Sequence, residues 1–135
     1  MLVERAASFG ITPRRDDALE FAARTRVLLL RHVNGIPLDV SCGALTFEEH
    51  VTRDATVVEL AGVQVRLARA EHLLVLKAIA ARPQDHADMH AIVVANRALD
   101  LDSARATLVE FAATLDAPEL VRDFDRIIAR AMTSD

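Results

Sequence analysis

The chain has 135 residues, 52% of them hydrophobic, and a formal net charge of −4. That length suits one domain with a real core, and the acidic balance argues against a generally basic nucleic-acid binder while leaving room for a local basic patch. With no Trp, no Tyr and five Phe, the few aromatics argue against base-stacking platforms for single-stranded nucleic acid. The single cysteine, Cys42, has no partner for an internal disulfide, which points to a reducing cytoplasm. No apolar run approaches the roughly 20 residues of a membrane span, and Met-Leu-Val-Glu-Arg carries no signal-peptide pattern.

Taken in chain order, residues 3–9 read as a short helix stopped by Gly10, and "ITPRRDD" as a loop or edge segment. "TRVLLLRHV" (25–33) is apolar and β-rich. Asn34-Gly35 then gives a strong hairpin signal, and "IPLDVSC" (36–42) is the return strand, with Pro37 tolerated at its start or on an edge. "ALTFEEHVTRD" (44–54) reads as a short helix with Thr46 as N-cap and Glu48 and Glu49 in the first turn. "TVVELAGVQVRLA" (56–68) is a second hairpin: Val57 and Glu59, then Val63, Val65 and Leu67, alternate around Ala61-Gly62.

From residue 69 the pattern turns helical. "AEHLLVLKAIAA" (70–81) is punctuated by Pro83, and "QDHADMHAIVVAN" (84–96) follows. "LDSARATLVEFAATL" (101–115) starts with Asp102 or Ser103 as cap, and "PELVRDFDRIIARAM" (118–132) opens with Pro118 at its first position. The expected fold class is therefore α+β. A small mixed or antiparallel sheet from two hairpins (1–68) packs on a C-terminal helical bundle (69–135) within one domain, 1–135.

One residue in "GIPLDVSCG" (35–43) stands out: a single acid, Asp39, inside a strand. Alternation places it on the face opposite Leu38 and Val40. A solvent-facing Asp on a half-buried strand accounts for it. So does a metal-binding carboxylate on a sheet face that lines a cleft.

A resemblance sharpens the second reading. "RVLLLRHVNGIPLDVSCG", "LTFEEHV", "VELAGVQVRLARAEHLLVLKAIAARPQDHADMHAI" and a helical tail occur in that order. From residue 9 to about 125 the chain resembles the AbiEii/AbiGii-type nucleotidyltransferases, of the superfamily with the polymerase β-like fold. The most specific piece is similar to the family's Lys-Ala-Arg-x-x-Asp-x-x-Asp pattern, here built on Lys77, Arg82, Asp85 and Asp88. The resemblance implies transfer of a nucleoside monophosphate from an NTP to an acceptor, RNA or a small molecule, with Mg²⁺. It makes Asp39 the third catalytic, metal-binding carboxylate and places Lys77 and Arg66 against phosphate. Arg82, Asp85, Asp88 and Glu48 become supporting residues around the site. The partners it implies are the NTP, an RNA acceptor and an antitoxin protein, with no membrane.

The sequence departs from that family at its start. The Gly-Ser or Gly-Gly turn followed by Asp-x-Asp, which carries the first two carboxylates, has no counterpart before Asp39. "SFG" (8–10) lacks the downstream acids, and the adjacent Asp16 and Asp17 point to opposite faces of any strand. The expectation is a truncated or degenerate nucleotidyltransferase domain, incomplete or inactive alone. The alternative is a non-catalytic module that binds protein or RNA, or dimerises through the sheet edge which an absent strand exposes.

Other residues have plainer readings. Lys77 suits a lysine snorkelling from an apolar helix, and Arg82 with Asp85 suits an ion pair across the Pro83 break. His86 and His90, at i and i+4, have chelating spacing but no third ligand in sequence. Cys42 reads as a buried structural cysteine, with a Cys42–His32 nucleophile pair across the hairpin as the alternative. Arg14, Arg15, Arg24, Arg26 and Arg31 form a basic stretch, suited to phosphate or to balancing acidic helices.

Overall fold

The computed structural model describes residues 2–133; Met1, Ser134 and Asp135 of the 1–135 assignment lie outside the described residues. The chain divides into two compact units, one up to Glu49 and one from His50 on. The second hairpin belongs to the same unit as the helices that follow it.

In the first unit, α1 (Leu2–Ala7) leads through Gly10 into β1 (Ile11–Pro13). Gly10 has φ +72°, and a Cβ there would meet Val33 Cγ2 at 3.1 Å, so a side chain would be both strained and crowded. α2 (Ala18–Thr25), β2 (Val27–His32) and β3 (Pro37–Ser41) follow. The three strands form an antiparallel sheet in the order β1-β2-β3, so the "ITP" segment is an edge strand. α2 has no counterpart among the sequence assignments. Its buried contact is the small Ala18, which leaves little apolar period to read, and its last residue, Thr25, runs into the apolar stretch.

Asn34-Gly35 does turn the chain. Gly35 N–H donates to His32 O at 2.8 Å with Gly35 at φ +91°, and His32 N–H donates to Ile36 O. The loop is thus one residue longer than the two-residue form, with glycine in the left-handed position. This register puts Leu28 and Leu30 opposite Val40 and Leu38. All four pack with Ala18, Val3, Ile11 and Ala22 in the core. Asp39, opposite Leu29, is sent to the other face.

α3 (Thr46–Arg53) crosses the boundary between the units. Thr46 is its first helical residue and not its cap. Glu48 does the capping: its Oε2 accepts from Ala44 N–H at 2.6 Å and Leu45 N–H at 3.0 Å. Those two donors hold the Glu48 carboxyl below its ordinary pKa.

The second unit opens with β4 (Thr56–Leu60) and β5 (Val63–Leu67), a separate two-stranded sheet. The hairpins therefore make two antiparallel sheets, not one. Leu60 pairs with Val63, and Ala61 (φ +50°) and Gly62 (φ +78°) form the two-residue turn. Val63, Val65 and Leu67 share their face with Val58 and Leu60, which pair with Val65 and Val63, and not with Val57 and Glu59.

α4 (Ala70–Ala80), α5 (Pro83–Ala95), α6 (Leu101–Leu115) and α7 (Glu119–Met132) complete the unit. α4 packs on α5, α6 and α7, while α7 also packs on α5 and α6. Their buried faces are Leu74, Val75 and Ala78; Met89 and Val93; Ala104, Leu108 and Ala112; and Leu120, Phe124, Ile127 and Ala131. The cap of α6 is Asp100, whose Oδ1 accepts from Ser103 N–H at 2.9 Å, rather than Asp102 or Ser103. Pro118 is the residue before α7 and not its first. Among the described residues no helix is long and apolar enough to cross a membrane.

Candidate functional site

The candidate residues fall into two groups, one in each unit. Asp39 and Glu48 belong to the first. Arg66, Lys77, Arg82, Asp85 and Asp88 belong to the second.

Asp39 lies mid-strand on β3, on the face away from the core, with 62% of its side chain exposed. Its partner is Arg14, which donates through Nη2 to Oδ1. The pairing follows from the sheet register. Arg14 follows β1 and its N–H donates to Leu29 O at 3.0 Å, while Leu29 is the cross-strand partner of Asp39. Arg14 was among the basic residues noted in the sequence, but only the strand order reveals its partner.

The fit to Mg²⁺ can be judged from the donor set. Mg²⁺ prefers about six oxygen ligands in near-octahedral geometry, and one carboxylate offers two oxygens. Asp39 is already engaged by a cation. Among the described residues no group of three or more His, Cys, Asp or Glu is placed to hold a metal. Asp39 would be one carboxylate of such a site, with water and nucleotide phosphates supplying the remaining oxygens, and His86 and His90 belong to no metal-binding group among the described residues.

The Lys77 cluster is assembled by the α4–α5 junction. Ala81 ends α4 in the left-handed conformation (φ +51°), and its N–H donates to Lys77 O. Pro83 then starts α5, its missing N–H being harmless at the first position. The turn brings Asp85 and Asp88, three residues apart and so about one helical turn, against Lys77. Lys77 Nζ donates to Asp85 Oδ1 at 3.1 Å and to Asp88 Oδ2 at 2.5 Å. Arg82 Nε lies 2.6 Å from Asp85 Oδ2, and its own N–H donates to the same oxygen. Gln84 Nε2 donates to Asp88 Oδ1 at 2.8 Å, a contact the sequence did not suggest.

Asp85 has no exposed surface, whereas the Asp88 side chain is 33% exposed. Hydrogen bonds from Arg82 and then Lys77 hold the Asp85 carboxyl far below its ordinary pKa against the opposing effect of burial. Lys77, followed by Gln84, lowers that of Asp88. The ammonium of Lys77 is raised in turn by Asp88 and then Asp85. Two cations and two anions cancel, so Lys77 is a bridged cation and not one snorkelling to solvent.

Arg66 is engaged elsewhere. Its Nη2 donates to Thr52 O at 2.8 Å and Arg53 O at 3.1 Å, at the C-terminal end of α3. A cation there satisfies terminal carbonyls and complements the helix dipole.

Two further sequence readings are corrected. Cys42 is exposed, not buried. It also sits beside Arg26 at the open end of the β2–β3 hairpin, while His32 sits at the turn. Roughly six residues at about 3.3 Å each separate the two, so they form no nucleophile pair. Of the basic stretch, Arg14 pairs with Asp39 and Arg15 with Asp17, and Arg26 donates to Gly43 O.

The model of the family described as nucleotidyl transferase of unknown function (DUF2204) matches residues 42–122, well over half of the chain. The chain belongs to this nucleotidyltransferase family. No curated protein matches it.

Proposed function

We propose that the chain is a nucleotidyltransferase domain related to the AbiEii-type toxins, which move a nucleoside monophosphate from an NTP to an RNA or small-molecule acceptor. In this reading Asp39 is the acid directed at Mg²⁺, and the domain is incomplete or inactive with the carboxylates described here. The observation that carries it is a lone acid held on the open face of a three-stranded sheet, in a chain of a nucleotidyltransferase family. An antitoxin partner and a reducing cytoplasm belong to the same reading, and the exposed, free Cys42 is compatible with the latter.

Incubation with α-labelled ATP, CTP, GTP or UTP, Mg²⁺ and RNA tests it. No label moves to RNA with the chain alone or with Asp39→Ala. Transfer by the wild type that Asp39→Ala abolishes would mean that the site is complete.

The edge of β3 favours a second reading, a module that pairs with another chain. Among the described residues β3 pairs only with β2. The bonds at Ile36 and Cys42, two ends of one alternating ladder, leave the main-chain groups of Asp39 and Ser41 pointing outward. Such an edge is a template for a further strand, including one from a second copy. Sedimentation of the chain at rising concentration checks for the homodimer.

A further inference from the structure

We propose that Arg14 is a built-in counter-ion that holds Asp39 in the place of a divalent cation, so that a metal reaches this carboxylate only by displacing the guanidinium. This rests on reading Asp39 as the metal-directed acid.

The sheet positions Arg14 for the task. Residues 14, 29 and 39 lie in one cross-strand row through the Arg14–Leu29 backbone bond and the Leu29–Asp39 register. Strands are spaced about 4.8 Å apart, so the gap across β2 is near 10 Å, which an extended Arg and a short Asp close together. The Arg14 side chain is only 24% exposed, against 62% for Asp39. The Arg14 side chain is thus mostly covered, and its buried Nε has no hydrogen-bond partner among the described residues.

The neighbouring Arg15 is engaged elsewhere. Arg15 Nε lies 2.8 Å from Asp17 Oδ1, and its guanidinium carbon lies 4.5 Å over the Phe21 ring. With Arg14 in place, an incoming divalent ion meets a neutralised carboxylate and a fixed positive charge. Removing that charge frees the oxygens and lifts the repulsion.

The test is a titration of the full, ¹⁵N-labelled chain with MnCl₂, following paramagnetic broadening of the Leu29, Asp39 and Val40 amides. Arg14→Gln keeps much of the stem, and matching thermal unfolding curves show that the variant is folded. The midpoint for broadening is expected to fall about tenfold in Arg14→Gln, and Asp39→Asn in that background abolishes it. Equal midpoints in wild type and Arg14→Gln, both lost with Asp39→Asn, would overturn the counter-ion role and leave Asp39 as a metal acid. No broadening at these amides in any variant would overturn the reading of Asp39 itself.

Discussion

Asp85 shows how a sequence feature with two meanings resolves into one structural role. It is a first-turn acid, favourable by helix dipole alone, yet it has no exposed surface and accepts bonds from both Arg82 and Lys77. Removing one partner from such a buried set leaves the others uncompensated. Asp85→Asn is therefore expected to lower the melting temperature by several degrees, and more than Asp88→Asn, when followed by circular dichroism. Linkage gives the pH dependence its sign. The carboxyls of Asp85 and Asp88 are lowered from 3.8, so their stabilisation is present above about pH 4 and drains away as pH falls through the lower folded-state values. The melting temperature falls between about pH 5 and 2 in the wild type, and less steeply in Asp85→Asn. Ala81 offers the opposite prospect. It is exposed and adopts the left-handed conformation that glycine takes without strain. Ala81→Gly is expected to stabilise by about 1 kcal/mol in urea unfolding.

Legibility also differed residue by residue. The outward direction of Asp39 and the Arg82–Asp85 pair could be read from local spacing alone, because strand alternation and the i, i+3 relation are local. The partner of Asp39 could not, since Arg14 reaches it only through the order β1-β2-β3. Cys42 misled because cysteine is among the most buried residue types, whereas here it lies past the end of an edge strand.

At the scale of elements, the hairpins and the four long helices were legible to within a residue or two, since Asn34-Gly35, Ala61-Gly62, Pro83 and Pro118 mark their limits. α2 was not, for its buried side is alanine. Which strands share a sheet was not legible either, because each hairpin pairs locally and the apolar pattern does not say where a further strand attaches. The helices depend on packing for stability. Leu108, fully buried on α6, illustrates this. Leu108→Ala is expected to cost about 2–5 kcal/mol by urea unfolding. A cost under about 1 kcal/mol would place Leu108 outside the core.

The whole molecule combines a family assignment with an unusual distribution of charge. Lys77, Arg82, Asp85 and Asp88 form a neutral, mutually satisfied set in the helical unit. Asp39, in the other unit, is held by Arg14 on an open sheet face. In both groups the carboxylates are paired with cations of the chain itself. Family membership makes this a nucleotidyltransferase-like domain. The most direct measurement is isothermal titration of the wild type and Asp39→Ala with ATP, CTP, GTP and UTP in Mg²⁺. The account predicts no Mg²⁺-dependent binding by either protein. Binding that requires both Mg²⁺ and Asp39 would contradict it and show that the site is complete in this chain.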